Sequence, residues 1–351
     1  MNAITNFLYD VLSAITGIVN NYGVSIMIFT LLMRMVCMPF DYRSRKGMRK
    51  MTLLQPKIDA LQKKYGNDKQ KLQQKQAELM RKEHYNPLSG CLPLLLTWPL
   101  MIAMFAAMRA IANEQLALQA FRYLAGEEQV VTAADRFLWI KNIWMADSPF
   151  NSIAPDASSL QFLTVDVWKK ACALLSDSHL AAAAKTLSVD ANLDALLACF
   201  ADNATMKASV DSIVIALGEI PSYQAAVATV PGWTNVNLFL TSVSLYQNYN
   251  GLLIMPALAG VTQVLQTLFN PQMQQQQTTM QNDQQKGMNG FMKWFFPILS
   301  IYFCLSSNAG FAIYWVTSNV VMYAQSIVIT KILESKDKKN ADAVTGEGSV
   351  K

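Results

Sequence analysis

The chain has 351 residues, 52% of them hydrophobic and 15% charged, with a mean hydropathy of +0.19. Its apolar residues are clumped into runs, which excludes an ordinary soluble chain of two domains and points to a membrane protein. The formal charge of +5 is unevenly placed: residues 41–87 hold 13 Lys and Arg against 5 Asp and Glu, whereas residues 110–250 hold 7 against 13. By the positive-inside rule the first stretch is cytoplasmic and the second lies outside.

No Lys or Arg precedes Val24, so the charged start of a secretory signal is not expected. In residues 1–20, Ile4, Phe7, Leu8, Val11, Leu12 and Ile15 recur at helical spacing, with Asn2, Asn6, Asp10 and Ser13 opposite. This predicts an amphipathic helix lying on the outer membrane face. Residues 22–40 form the first predicted span, with one charge inside it, Arg34. An arginine at the centre of a membrane helix costs at least about 2.5 kcal/mol. Two readings stand. Either Arg34 snorkels to the cytoplasmic headgroups near Phe40, about 9 Å along the helix, or it lines a wet cavity that accepts a substrate.

Residues 41–86 read as a basic cytoplasmic helical hairpin. Met51, Leu54, Ile58, Leu61 and Tyr65 step by three and four residues, the spacing of a coiled-coil seam, and Gly66-Asn67-Asp68 supplies a stop and a new N-cap. A kink is expected at Pro56. The second span, 88–110, carries Pro93 and Pro99 and should bend. Residues 111–249 make an outer stretch in which Trp139 and Trp144 suit an interfacial helix. Within it, 156–241 reads as a small helical domain with Trp168 and Trp233 in its core, and His179 has no assigned role. Residues 251–270 are the third span and 271–290 a polar cytoplasmic loop with Gln274 to Gln277 in a row. Residues 291–330 hold the fourth and fifth spans, joined tightly at 306–310, and the cytoplasmic tail 331–351 is expected to be disordered from Glu334. The fold class is all-α: five transmembrane helices, a cytoplasmic helical hairpin and an extra extracytoplasmic helical domain, with the N-terminus outside and the C-terminus in the cytoplasm.

The cysteines (Cys37, Cys91, Cys172, Cys199, Cys304) show no metal-ligand spacing, and Cys172 and Cys199 share the outer stretch, where a disulfide is conceivable. The predicted spans hold no Asp, Glu or His, so an intramembrane acid pair, a Ser-His arrangement or a proton relay has no parts. No phosphate loop of the GxxxxGK[ST] form occurs. An enzyme is therefore not expected, and no cofactor or metal is called for. With no acid to neutralise it, Arg34 must meet water, carbonyls, lipid phosphate or an incoming ligand. Thr30 lies one turn before it, Thr262, Gln263 and Gln266 fall in the third span, Ser300 in the fourth, and Thr317, Ser318 and Asn319 in the fifth. Together they fit a wet cavity, although helix-to-helix hydrogen bonding accounts for any one alone.

Several stretches resemble the YidC membrane-protein insertases. They are the Arg34 span ending in Met38-Pro39-Phe40, LLQPKIDALQKKYGNDKQKL (53–72), NPLSGCLPLLLTWPL (86–100), LIMPALAGVTQ (253–263), FFPIL (295–299) and AIYWVTSN (312–319). The resemblance implies a five-span core around a hydrophilic groove, open to the cytoplasm and sideways to lipid but closed outside. Arg34 matches the family's groove arginine, which draws in the polar or acidic outer part of a nascent protein. Tyr314 and Trp315 match aromatic positions on the lipid-facing exit path. Implied partners are nascent membrane proteins, the lipid bilayer, ribosomes and signal-recognition components, and the Sec translocon where the protein does not work alone. The implied location is the bacterial plasma membrane. A Gram-positive-type architecture is closest, since the extra N-terminal span and large periplasmic domain of Gram-negative members are not seen. Residues 156–241 sit where such relatives are short. The competing reading is a small transporter or channel with Arg34 binding an anion; an internal inverted repeat would favour it, and none is evident.

Overall fold

The computed structural model describes residues 3–83, 88–238, 241–269 and 283–347. Among these, regular structure is helical except for one antiparallel hairpin, β1 (Val236–Leu238) with β2 (Thr241–Val243), which the all-α expectation did not include. The chain divides into two compact units: residues 1–29, 103–259 and 301–315 form the first, and 30–102, 260–300 and 316–351 the second.

The first unit begins with α1 (Ala3–Val19). The expected amphipathic face forms: Leu8 and Leu12 are buried, while Asp10 and Ser13 are exposed. Tyr9 donates its hydroxyl to both oxygens of buried Glu114, at 2.8 and 2.9 Å. Glu114 stands on α4 (Leu88–Leu124), which ends where Gly126 adopts φ 77°. Residues 125–156 then run without a regular helix of more than three residues, so the interfacial helix expected around Trp139 and Trp144 does not form. The reason is that buried side chains, not a helical ladder, satisfy the backbone here. Trp144 is fully buried and donates Nε1 to Asp135 at 2.7 Å. Asn250 accepts from the Asn142 N–H at 2.7 Å and turns its amide nitrogen to the carbonyls of Asn142, Met145 and Ala146. Asn142 in turn donates to Gln119 Oε1 and the Ile153 carbonyl.

Between the ends at residues 151–152 and 249–250 lie short helices: α5 (Ala157–Gln161), α6 (Val165–Ala173), α7 (Asp177–Leu187), α8 (Leu193–Ala198), α9 (Asn203–Gly218) and α10 (Pro221–Val227). Side-chain caps at Asp156, Asn192 and Asp202 start three of them. This segment leaves and returns at one place: the Asn250 N–H donates to the Asn151 carbonyl at 2.8 Å, and Ser152 bridges Tyr249. Trp168 is its core, stacked on Phe200 at 5.3 Å and meeting Phe121 edge-on at 5.6 Å. Trp233, expected beside it, is 47% exposed, because the Pro231-Gly232 turn carries it outward. Cys172 and Cys199 are free thiols, contrary to the suggested disulfide, and burial pushes the Cys172 thiol up to about 12. His179 bridges Glu127 Oε1 at 2.6 Å and Ser176 Oγ at 2.7 Å, tying α7 to the segment after α4. Trp168→Ala should lower the stability of this domain by about 3 kcal/mol through the cavity it leaves, read from a near-ultraviolet dichroism melt. Trp168→Phe should cost less, since the buried indole N–H has no acceptor to lose.

In the second unit, α2 (Tyr22–Tyr65) does not stop at residue 40 but continues through Pro39 and Pro56 to the turn at Gly66 and Asn67. Asp68 caps α3 (Lys69–Lys82) by accepting from the Lys71 N–H at 3.0 Å, as its sequence predicts. Leu54 and Ile58 of the expected seam are buried, and Lys57 pairs with Glu83 at 2.6 Å. The remaining helices are α11 (Ile254–Phe269), α12 (Asp283–Ser306) and α13 (Ala309–Glu347). The tail expected to be disordered from Glu334 is helical to Glu347. Arg49 pairs with Asp337 at 2.7 Å and Lys336 donates to the Tyr42 hydroxyl at 3.0 Å, so α2 holds it. By length and composition, Tyr22–Gly47 and Ala309–Asp337 are able to cross a membrane, with shorter apolar helices at Asn6–Val19, Ile254–Leu268 and Trp294–Ser306. Residues 84–87, which include Asn86 and Pro87 of the NPLSG motif, and most of the polar loop 271–290 lie outside the described residues.

Candidate functional site

Arg34 is half-buried on α2 and faces α13 within the second unit. Its Nε donates to Ser318 Oγ at 3.0 Å, and Nη2 reaches the same hydroxyl. Gln325, one row further along α13, donates to the Arg34 carbonyl at 2.9 Å. A guanidinium has five N–H donors in a planar fork. Ser318 holds only the Nε–Nη2 edge, and Nη1 has no acceptor or ion pair among the described residues. The Nη1–Nη2 edge is thus open to a bidentate oxyanion.

Two further charges share this face, because offsets of seven and eleven residues bring a helix back to nearly the same direction. Asp41 lies within electrostatic range of both Arg34 and Arg45. Arg45 donates Nη1 to Ser326 at 3.0 Å, while its Nε is buried without an acceptor. Ser44 Oγ and Gln325 Oε1 are also buried and unpartnered. Buried polar atoms without partners are expensive in a dry interior. Sequence reasoning missed Asp41, Arg45, Gln325 and Ser326. For Asp41 and Arg45 the signal was available in the helical spacing from Arg34, but it was cut off by ending the span at Phe40; for Gln325 and Ser326 nothing local marked them as partners of α2.

The other predicted positions separate into groups. Thr262 accepts from Asn319 Nδ2 at 3.1 Å, and Gln266 donates to the Asn319 carbonyl at 2.6 Å, which clips α11 to α13. Gln263 is half-buried, with its carbonyl accepting from Thr267 at 2.9 Å. Thr30 is buried and partnered, Thr317 half-buried, and Ser300 fully buried with a hydroxyl that has no partner. Tyr314 and Trp315 belong to the first unit, where both pack on Phe311, at 6.1 and 5.6 Å. No cluster of three His, Cys, Asp or Glu suited to a metal occurs among the described residues.

Residues 14–189 and 220–338 match the family described as 60Kd inner membrane protein. This chain belongs to that family. Relatives named membrane protein insertase YidC include those of Fusobacterium nucleatum, 38% identical over 109 residues (31% of this chain, 53% of the relative), and Clostridium tetani, 32% over 150 (42% and 60%). That of Aromatoleum aromaticum is 45% identical over 98 residues, 28% of this chain and 18% of the relative. The chain thus spans little more than half the length of the first two and less of the third. The family match is interrupted at 190–219, the stretch of α8 and α9. It covers Arg34, Asp41 and Arg45 as well as the α13 positions opposite them.

Proposed function

We propose that this chain is a membrane-protein insertase and chaperone that receives nascent membrane proteins at Arg34 and releases their hydrophobic segments into the bilayer. The observation that carries the reading is the open Nη1–Nη2 edge of a half-buried Arg34 in a seam of unpartnered polar atoms. A carboxylate or polar turn from the outer part of a substrate meets that edge bidentately, which offsets its removal from water. The substrate's apolar segment then moves into lipid, where transfer is worth about 25 cal/mol per Å2. No nucleotide is needed. In this reading five spans (22–40, 88–110, 251–270 and the pair in 291–330) enclose a groove, with Tyr314 and Trp315 on the exit path. The N-terminus is outside, and the basic hairpin and tail are cytoplasmic, where they meet ribosomes and signal-recognition components. The Sec translocon is a partner for some substrates, and the location is the bacterial plasma membrane.

The test is site-specific crosslinking from positions 34, 263 and 315 to a ribosome-stalled nascent membrane protein. Adducts from all three are expected. Their complete absence, with the protein folded, overturns the reading in favour of a small transporter or channel in which Arg34 binds a diffusible anion.

A further inference from the structure

A pocket of about 220 Å3 lies in the first unit at the turn between α12 and α13. One wall is a stripe of α4 in which Phe105, Arg109, Asn113 and Leu116 recur at helical spacing. The facing wall is the turn itself, Ser306, Ser307 and Asn308, and the floor is Phe105 set edge-on to Phe311 at 5.1 Å. Each of the free polar groups can donate. Arg109, Asn113 and Ser307 have no hydrogen-bond or ion-pair partner among the described residues. Ser306 donates to the Tyr302 carbonyl, and Asn308 Oδ1 accepts from the Phe311 N–H, leaving its amide nitrogen available. The indole N–H of Trp144, which also lines the pocket, is held by Asp135. No Asp or Glu lines it. A vacant guanidinium among amide and hydroxyl donors, with no acid nearby, selects an anion.

The surrounding sequence says which kind. The apolar stretch of α12 ends at Ser306 and that of α13 begins at Ala309, so the turn marks the level where hydrocarbon gives way to headgroups. Tyr302, Phe303 and Leu305 are exposed on the preceding turns of α12. We propose that the pocket binds the phosphate of an anionic phospholipid. Arg109 takes the two non-bridging phosphate oxygens, Asn113 and Ser307 donate to the same oxygens, and the carbon skeleton of the lipid's glycerol backbone rests on Phe105 and Phe311. The cavity is smaller than the roughly 300–1,000 Å3 that engulfs a whole small molecule, so the acyl chains stay in the bilayer beside Tyr302 and Phe303. This site stands independently of the insertase reading.

The full chain, purified in detergent, is titrated with phosphatidylglycerol, phosphatidylcholine and inorganic phosphate and followed by native mass spectrometry. One phosphatidylglycerol should be retained in preference to phosphatidylcholine. Arg109→Gln should weaken it about tenfold or more, the value of a lost charged hydrogen bond, and Arg109→Lys less. Arg136→Gln, an exposed arginine outside the pocket, should leave binding unchanged. Equal weakening by both glutamine variants, or none by either, overturns the site. Displacement of the lipid by inorganic phosphate at matching concentration overturns its assignment to a lipid. If Arg109→Gln does not fold, the double change Asn113→Ala with Ser307→Ala carries the same readout, and unchanged lipid retention there overturns the proposal.

Discussion

Replacing Arg34 with Ala should lower insertion of short substrates with acidic outer segments about tenfold or more, while strongly hydrophobic substrates stay within about twofold. The difference follows from what each substrate needs. An acidic outer segment must leave water before its apolar helix reaches lipid, and in the proposed reading the open edge of Arg34 compensates its carboxylate at that stage. A strongly apolar segment is driven by its own transfer free energy and depends little on that contact. Arg34→Lys keeps the charge but not the fork and should fall between wild type and Ala; Arg34→Glu should fall below Ala. Ser318→Ala leaves the charge in place and removes only the hydroxyl that holds Nε and Nη2, so its loss should be the smallest. Protease protection of substrates in proteoliposomes measures all of these. An equal loss for both substrate classes would assign Arg34 to folding instead.

Asp147→Ala should destabilise the first unit by roughly 5 kcal/mol. Asp147 is fully buried and accepts from the Leu252 N–H at 2.8 Å, the Met255 N–H at 2.6 Å and Trp139 Nε1 at 3.3 Å. Leu252 and Met255 flank the start of α11, so Asp147 caps that helix from 105 and 108 residues away in sequence. Removing it strands three donors, each costing about 1 to 3 kcal/mol when buried. Gly251 fits only because it lacks a side chain: a Cβ there would stand 1.9 Å from Asp147 Oδ1. Gly251→Ala should therefore weaken the same contact, and the double variant should be less than additive. Thermal unfolding in detergent checks this, with an apparent Tm about 10 °C or more below wild type for Asp147→Ala. An unchanged Tm would mean that water replaces the side chain.

The parts legible in the sequence were those set by neighbours a few residues apart. Leu8 and Leu12 on one face of α1, the Gly66-Asn67-Asp68 turn and cap, and Arg34 inside an apolar run all depend on local spacing. The clip of Thr262 and Gln266 on Asn319 was visible only as polar residues in spans, because their pairing joins helices 53 and 57 residues apart. Asn142 with Asn250 and Trp144 with Asp135 were invisible, since nothing local marks an asparagine or tryptophan as a partner for distant backbone or a buried acid. The tail helix was misread for a related reason. Its polar composition resembles disorder when taken alone, and its partners, Arg49 and Tyr42, lie on α2.

The meeting of Asn151 with Asn250 and of Ser152 with Tyr249 makes the helical segment between them a graft with a shared root, which Trp168 on Phe121 and His179 on Glu127 also fasten to α4 and the residues after it. Loops between those anchors can lengthen at little cost to the root. Closing a loop twice as long costs only about 0.6 kcal/mol more. The interruption of the family match at 190–219 falls inside this graft. That stretch, α8 and α9, contains neither end of the root and neither Trp168 nor His179.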